Sequence, residues 1–141
     1  MYTIRKKFHF EYAHQLYDSF TADCKNQIHG HSGVVEVFLS SEELDDKGVV
    51  VDFTQVKSLI KDYIDSWDHA LIMSDKFPKE YLKMLKKYNK KLMIVNYNPT
   101  AENMAKIMFE DINGIFIRNN IGDILSKIRV HETETGYAEV R

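Results

Sequence analysis

Three histidines and the chain's only cysteine fall in one short stretch, as His14, Cys24, His29 and His31. In an extended strand, residues two apart project to the same side, so His29 and His31, separated by Gly30, turn both imidazoles toward one ion. Their parity continues through Gly33, Val35, Val37 and Leu39, with Ser32, Glu36 and Ser40 on the other face. His14 ends an earlier alternation: Tyr2, Ile4, Phe8, Phe10 and Tyr12 share its parity, and Thr3, Arg5, Lys7, His9 and Glu11 oppose it. His9, on the polar side, reads as surface. Three neutral imidazoles on Zn²⁺ leave a fourth tetrahedral position for water or substrate, the pattern of a catalytic site. With Cys24 in that position the same residues make a closed structural site. The residues alone leave both arrangements open.

Two further places hold charges that chemistry could use. Asp68-His69 follows a helix that should fray near Ser66-Trp67. Such a dipeptide is most often a solvated loop end; as an acid–base pair, its carboxylate would raise the imidazole pKa and steady its proton. Ile128, Val130 and Glu132 share one strand parity, so a carboxylate stands where a third buried residue should be. A buried position would require a partner for it, whereas a strand end that has reached solvent would not. Lysines 83, 86, 87, 90 and 91 read as a solvated helix face with no site role.

The elements that must position these groups follow from the patterning. The length suits one domain over residues 1–141. Strands at 2–14 and 31–40 are joined by a long polar connection over 18–28. An acidic solvated turn over Ser40 to Gly48 leads to a short strand, Val49–Val51. Asp52 caps a helix with Gln55 as reciprocal partner, and Phe53, Val56, Leu59, Ile60, Tyr63 and Ile64 form its apolar stripe. Glu80–Tyr88 is helical and is followed by the apolar run Leu92–Val95. Asn98-Pro99-Thr100 starts a helix that runs to about Asn113-Gly114, with Glu102 near the positive end of its dipole. Strands return at 128–132 and 136–140. A net charge of −2 gives no general pull toward nucleic acid or an anionic membrane. The single cysteine excludes an internal disulfide framework. No apolar run has membrane-spanning length, and Met1 to Phe8 lacks the apolar core of a secretion signal, so a cytoplasmic location is expected.

Six motifs in order then resemble the 6-pyruvoyltetrahydropterin synthase and 6-carboxytetrahydropterin synthase family almost end to end. They are Phe10-Glu-Tyr-Ala-His14, Cys24 through His31, Val51-Asp-Phe53, Asp68-His69 with Trp67 for the family's leucine, Asn98-Pro-Thr-Ala-Glu102 and Val130-His-Glu-Thr133. The resemblance implies an α+β tunnelling fold with two main helices on one face of a four-stranded antiparallel sheet. Three subunits would close their sheets into a barrel, and two barrels would stack into a homohexamer with active sites between subunits. It further implies that His14, His29 and His31 hold zinc, that Cys24 is the general base, and that Asp68 and His69 relay protons. Glu132 would anchor a pterin ring, with Thr100 and Glu102 also on the substrate side. The implied substrate is 7,8-dihydroneopterin triphosphate.

Cys24 and His29 are separated by four residues, where the 6-carboxy enzymes usually have three and the 6-pyruvoyl enzymes five. The compact loop and the Pro-Thr-Ala-Glu segment favour a zinc-dependent 6-carboxy-5,6,7,8-tetrahydropterin synthase, a lyase releasing triphosphate and acetaldehyde on the route to 7-deazaguanine nucleosides such as queuosine. The alternative product is 6-pyruvoyltetrahydropterin. Readings from other classes are a non-catalytic zinc-stabilised binding module, in which Cys24 closes the site, and a metal-free pterin aldolase or epimerase, against which the three histidines argue.

Overall fold

The alternation that starts at Tyr2 persists to Gln15, and this strand, β1, pairs antiparallel with β2 (His29–Ser41) in a computed structural model that describes residues 1–141. The ladder runs without a break from Tyr2 opposite Ser41 to His14 opposite His29. The connection between the strands contains a short helix, α1 (Ala22–Asn26). Helix α2 (Phe53–Trp67) is capped by Asp52, whose side chain accepts the Thr54 N–H at 2.6 Å without a return bond from Gln55. Strand β3 (Ala70–Ser74), helix α3 (Lys79–Tyr88), strand β4 (Leu92–Val95), helix α4 (Ala101–Arg118) and strands β5 (Leu125–His131) and β6 (Tyr137–Val140) complete the chain.

The sheet has six strands in the order β4-β3-β1-β2-β5-β6, with β3 parallel to both β1 and β4 and the remaining pairs antiparallel. It is therefore mixed, and not the expected four-stranded antiparallel sheet. The additional strands come from Ala70–Ser74 and Leu92–Val95. Every residue of β3 is buried, so it carries no polar alternation to mark it as a strand, as is usual for parallel strands covered on both faces. Val49–Val51 is not a strand; the Asp45 side chain accepts the N–H groups of Lys47 and Val49 and holds the segment as a turn. Helix α4 also runs past Gly114 to Arg118, because Phe116 is fully buried and anchors its last turn.

Two main helices do lie on one face. Val56, Ile60 and Ile64 of α2 and Met104, Met108, Ile112 and Phe116 of α4 pack with Phe10, Val35, Val37, Leu39, Ile128 and Val130 of the sheet. Helix α3 covers the opposite face at the β3 end, where Leu82 and Leu85 meet Leu71, Met73 and Ala13. No helix is long and apolar enough to cross a membrane.

The remainder of that opposite face is polar, and Glu36 is its centre. Although 1% exposed, it receives Arg5 at 2.8 Å, Arg129 at 3.3 Å and His131 at 2.8 Å, with Lys7 at 3.8 Å. These partners come from β1 and β5, so one carboxylate ties together three adjacent strands, β1, β2 and β5. Burial alone would raise its pKa; the His131 hydrogen bond and the charges of Arg5, His131 and Lys7 prevail and hold it below the ordinary 4.5. Glu36→Gln should destabilise the fold at neutral pH by about 2 kcal/mol, less than the ~3–5 kcal/mol of a fully buried broken pair because Arg5 reaches solvent. A depressed carboxyl pKa stabilises the fold above the unfolded-state value, and this contribution disappears as pH falls through the folded one. Urea titrations should thus show the gap between wild type and variant closing below about pH 4.5; a constant gap would exclude the ionised carboxylate as its source.

Candidate functional site

The β1/β2 register sets His14 directly across from His29 and Tyr12 across from His31. The three histidines each bring a ring nitrogen to within 4.8 Å of the others. Their rings meet edge-on, with centroids 4.6 to 5.1 Å apart. His14 is fully buried. Its Nδ1 lies 2.8 Å from the Pro99 carbonyl oxygen, and His29 Nδ1 lies 3.1 Å from that of Gln27. A carbonyl only accepts, so each ring carries its proton on Nδ1 and presents a lone pair at Nε2. Those two Nε2 atoms nevertheless lie 3.0 Å apart, and His31 Nε2 is buried with no hydrogen-bond partner.

Converging lone pairs repel unless a cation joins them. A proton does not serve at neutral pH: burial, against the Pro99 hydrogen bond and with help from His29 and His31, lowers the His14 pKa to about 4, and burial also lowers that of His31. A divalent metal ion fits. All-imidazole donors suit zinc, copper, iron or nickel, and carbonyls on the far nitrogens are the usual outer contacts of metal-binding histidines.

The Pro99 carbonyl is itself held in place. Asn98 accepts the Tyr17 N–H at 3.2 Å and donates to the Asp18 carbonyl at 2.7 Å, which fastens the start of α4 to the end of β1. Thr100 caps α4 by accepting the Asn103 N–H at 3.3 Å. Glu132 stands one residue beyond β5. Its side chain is one-third exposed, and its Oε1 is 3.4 Å from His14 Nε2 and 3.7 Å from His31 Nε2. It is thus a strand end that turns back to the histidines. Thr100, Glu102 and Glu132 line one cavity of about 270 Å³ with Leu16, Tyr137 and Ala138.

A second cavity, of about 520 Å³, is lined by His31 and His69 together with Tyr12, Ile28 and Asn89. The His69 Nδ1 is 3.0 Å from Asp68 Oδ2, and Asp68 Oδ1 accepts the Glu11 N–H at 2.8 Å. That backbone bond is the largest of the influences holding the Asp68 carboxyl below its ordinary pKa; burial opposes it, and His69 and Lys91 add to it. Cys24 lies on α1, half-buried, and its carbonyl accepts the Leu16 N–H at 3.0 Å. The nitrogen cluster consists of the three histidines, with Cys24 outside it.

Residue patterning gave no sign of the carbonyls of Pro99 and Gln27, because a backbone oxygen has no sequence signal. Tyr12, by parity one of the apolar-face residues of β1, has a role that parity does not show. Its hydroxyl is buried without a partner, and burial, with the charge of Glu132, pushes its pKa well above the usual tyrosine value. The ring stacks on Phe10 at 5.0 Å over Gly33, where a Cβ would lie 2.9 Å from both rings. Only glycine leaves that space.

If the three imidazoles hold one ion, the protein should carry about one metal per chain, and His29→Ala and His31→Ala should each lose it. Elemental analysis of the purified variants checks this; full metal in either would exclude the histidine cluster. Affinity should fall as pH is lowered, since a protonated imidazole cannot ligate.

The sequence and the fold have known relatives. The family model for 6-pyruvoyl tetrahydropterin synthase matches residues 3–141. The chain is 31% identical over 141 residues to the 6-carboxy-5,6,7,8-tetrahydropterin synthase of Helicobacter pylori strain J99, a match covering 96% of this chain and 70% of the relative. It is 32% identical to the enzyme of the same name from Haemophilus influenzae, with 99% and 98% covered. Among solved structures, an uncharacterized protein from Wolinella succinogenes superposes with a TM-score of 0.82 at 23% identity, over 99% of this chain and 97% of that one. Because the family model matches nearly its whole length, the chain that carries this three-histidine cluster belongs to the 6-pyruvoyl tetrahydropterin synthase family.

Proposed function

We propose that this protein is a zinc-dependent 6-carboxy-5,6,7,8-tetrahydropterin synthase that converts 7,8-dihydroneopterin triphosphate with loss of triphosphate and acetaldehyde. The observation that carries this reading is the convergence of three imidazoles beside a cavity walled by Glu132. The bacterial relatives bearing the 6-carboxy name favour that product over the 6-pyruvoyl one.

Zinc held by His14, His29 and His31 would supply Lewis acidity toward the hydroxylated side chain of the substrate. Glu132 presents a carboxylate, an acceptor for two adjacent N–H groups on the edge of an aminopyrimidine ring. Thr100 and Glu102 stand in the same cavity wall. Cys24, as the thiolate, takes the carbon-bound proton. Asp68 steadies the proton of His69, which delivers or removes one at the far carbon. His69 is largely exposed, as suits a group completed by a neighbouring subunit. Edge strands β4 and β6 are both four residues long; pairing each with the other edge of a further copy removes the open edges and closes a barrel. Three copies per barrel and two barrels give the hexamer we propose, a cytoplasmic enzyme whose product enters 7-deazaguanine and queuosine synthesis.

Incubation with 7,8-dihydroneopterin triphosphate and mass analysis should give 6-carboxytetrahydropterin and acetaldehyde. A 6-pyruvoyl product would assign the other branch, and no consumption by metal-loaded protein would favour the binding module. Cys24→Ala should keep its metal while turnover falls by about 10²–10⁴-fold; loss of metal would make Cys24 a ligand, and near wild-type turnover a bystander. Glu132→Gln places an N–H donor against donors of the ring and should weaken substrate binding by roughly 1–3 kcal/mol. Unchanged affinity in a direct titration would remove Glu132 from the pterin site.

A further inference from the structure

Lys91 differs from the other lysines of its segment. Lys83, Lys86 and Lys90 donate no side-chain hydrogen bond, whereas the Lys91 ammonium donates to two backbone carbonyls, those of Asp65 and Asp68. Both belong to the C-terminal end of α2, where helix carbonyls lack intrahelical partners and the dipole favours a cation. Lys91 is also fixed at its own end. It immediately precedes β4, and its carbonyl accepts the Leu71 N–H at 2.9 Å. The lysine therefore bridges the β3/β4 pairing to the end of α2, directly over the junction that carries Asp68 and His69.

That junction needs holding. His69 has φ of +61°, in the left-handed region that a residue with a Cβ enters at a cost of about 1–3 kcal/mol. Asp68 is tied at its N–H to the Ile64 carbonyl (3.1 Å), at Oδ1 to the Glu11 N–H, at Oδ2 to His69 and at its carbonyl to Lys91. The His69 N–H donates to the Glu11 carbonyl, and the next residue, Ala70, is buried in β3. The Asp68 carbonyl belongs to the peptide unit leading into His69, so its orientation helps fix the His69 φ. Without the ammonium, the carbonyls of Asp65 and Asp68 lose their shared donor, and the peptide gains freedom to relax toward ordinary backbone.

We propose that Lys91 is a positioning residue, whose ammonium locks the end of α2 so that His69 keeps its left-handed backbone and faces the cavity it shares with His31. The proposal rests on the reading of Asp68 and His69 as a proton relay, and its test separates the two. Lys91→Met should lower kcat by roughly 10–10²-fold, the range that small misplacements of a catalytic group produce, with KM and metal content unchanged. Lys91→Arg, which keeps a cationic donor, should restore most of it. In protein labelled with ¹³C-histidine, the His69 ring resonances, assigned with His69→Gln, should shift in Lys91→Met and return in Lys91→Arg, while those of His14, His29 and His31 stay in place. A lowered melting temperature with unchanged kcat and unchanged His69 resonances would make Lys91 a helix cap only and overturn the proposal. Wild-type kcat in His69→Gln would instead overturn the relay, and the His69 ring shift in Lys91→Met would then decide the positioning role alone.

Discussion

The site depends on where two protons sit. Because the carbonyls of Pro99 and Gln27 can only accept, they keep the protons of His14 and His29 on Nδ1 and turn both Nε2 lone pairs inward to a separation of 3.0 Å. That arrangement is unfavourable without a cation and well prepared for one. It also constrains the strands. A one-residue slip between β1 and β2 would move every side chain of one strand to the other face, removing His14 from His29 and exposing the apolar parity of Val35, Val37 and Leu39. Ligand geometry and core burial therefore demand the same register.

The opposite face of the sheet enforces that register by different means. Glu36 faces Lys7 across β1 and Arg129 across β5, with Arg5 and His131 diagonal to it. A slip of β2 against both neighbours would turn this carboxylate away from all four cationic partners and into the apolar face, at a cost larger than most single contacts confer. Arg129 also lies over the Tyr137 ring at 4.2 Å and bonds Glu139, which extends the network to β6. Since Glu132 lies between β5 and β6, the polar face fixes the approach of the one carboxylate that reaches the histidines.

Much of this was legible in the residues, and the boundary is physical. Alternation is read directly wherever one face is wet, so β1, β2 and the shared side of His14, His29 and His31 were accessible from parity alone. The apolar stripes of α2 and α4 were equally clear. Strand β3 was not, because it is covered on both sides and its five residues show no period; nothing in the residues therefore corrected the four-stranded antiparallel sheet that the family resemblance implied. Glu132 fell between the two expectations for it, ending the strand yet turning inward. Helix α3 and the lysines around it read as a solvated face, and most of them are. What distinguishes Lys91 is two backbone carbonyls on a helix end distant in sequence, which no local pattern encodes.

Most of the departures from local rules gather around one place; the exceptions are the buried amide oxygen of Asn113 and the left-handed Asn120 near the end of α4. His69 has a backbone that favours glycine, His31 Nε2 and the Tyr12 hydroxyl are buried without partners, and two imidazole lone pairs face each other. Elsewhere the sheet satisfies its charges, as at Glu36. A core arranged for stability alone would carry phenylalanine at position 12, because an unmatched buried hydroxyl costs about 1–3 kcal/mol and the ring already has its apolar contact with Phe10. Strain and unpaired polar groups persist where the surrounding structure over-determines them. Here the surroundings are the β1/β2 ladder, the fastened start of α4 and the clamped end of α2. All three converge on the space between His14, His31 and His69, so the rigid scaffold and the locally unfavourable groups define the same site from opposite sides.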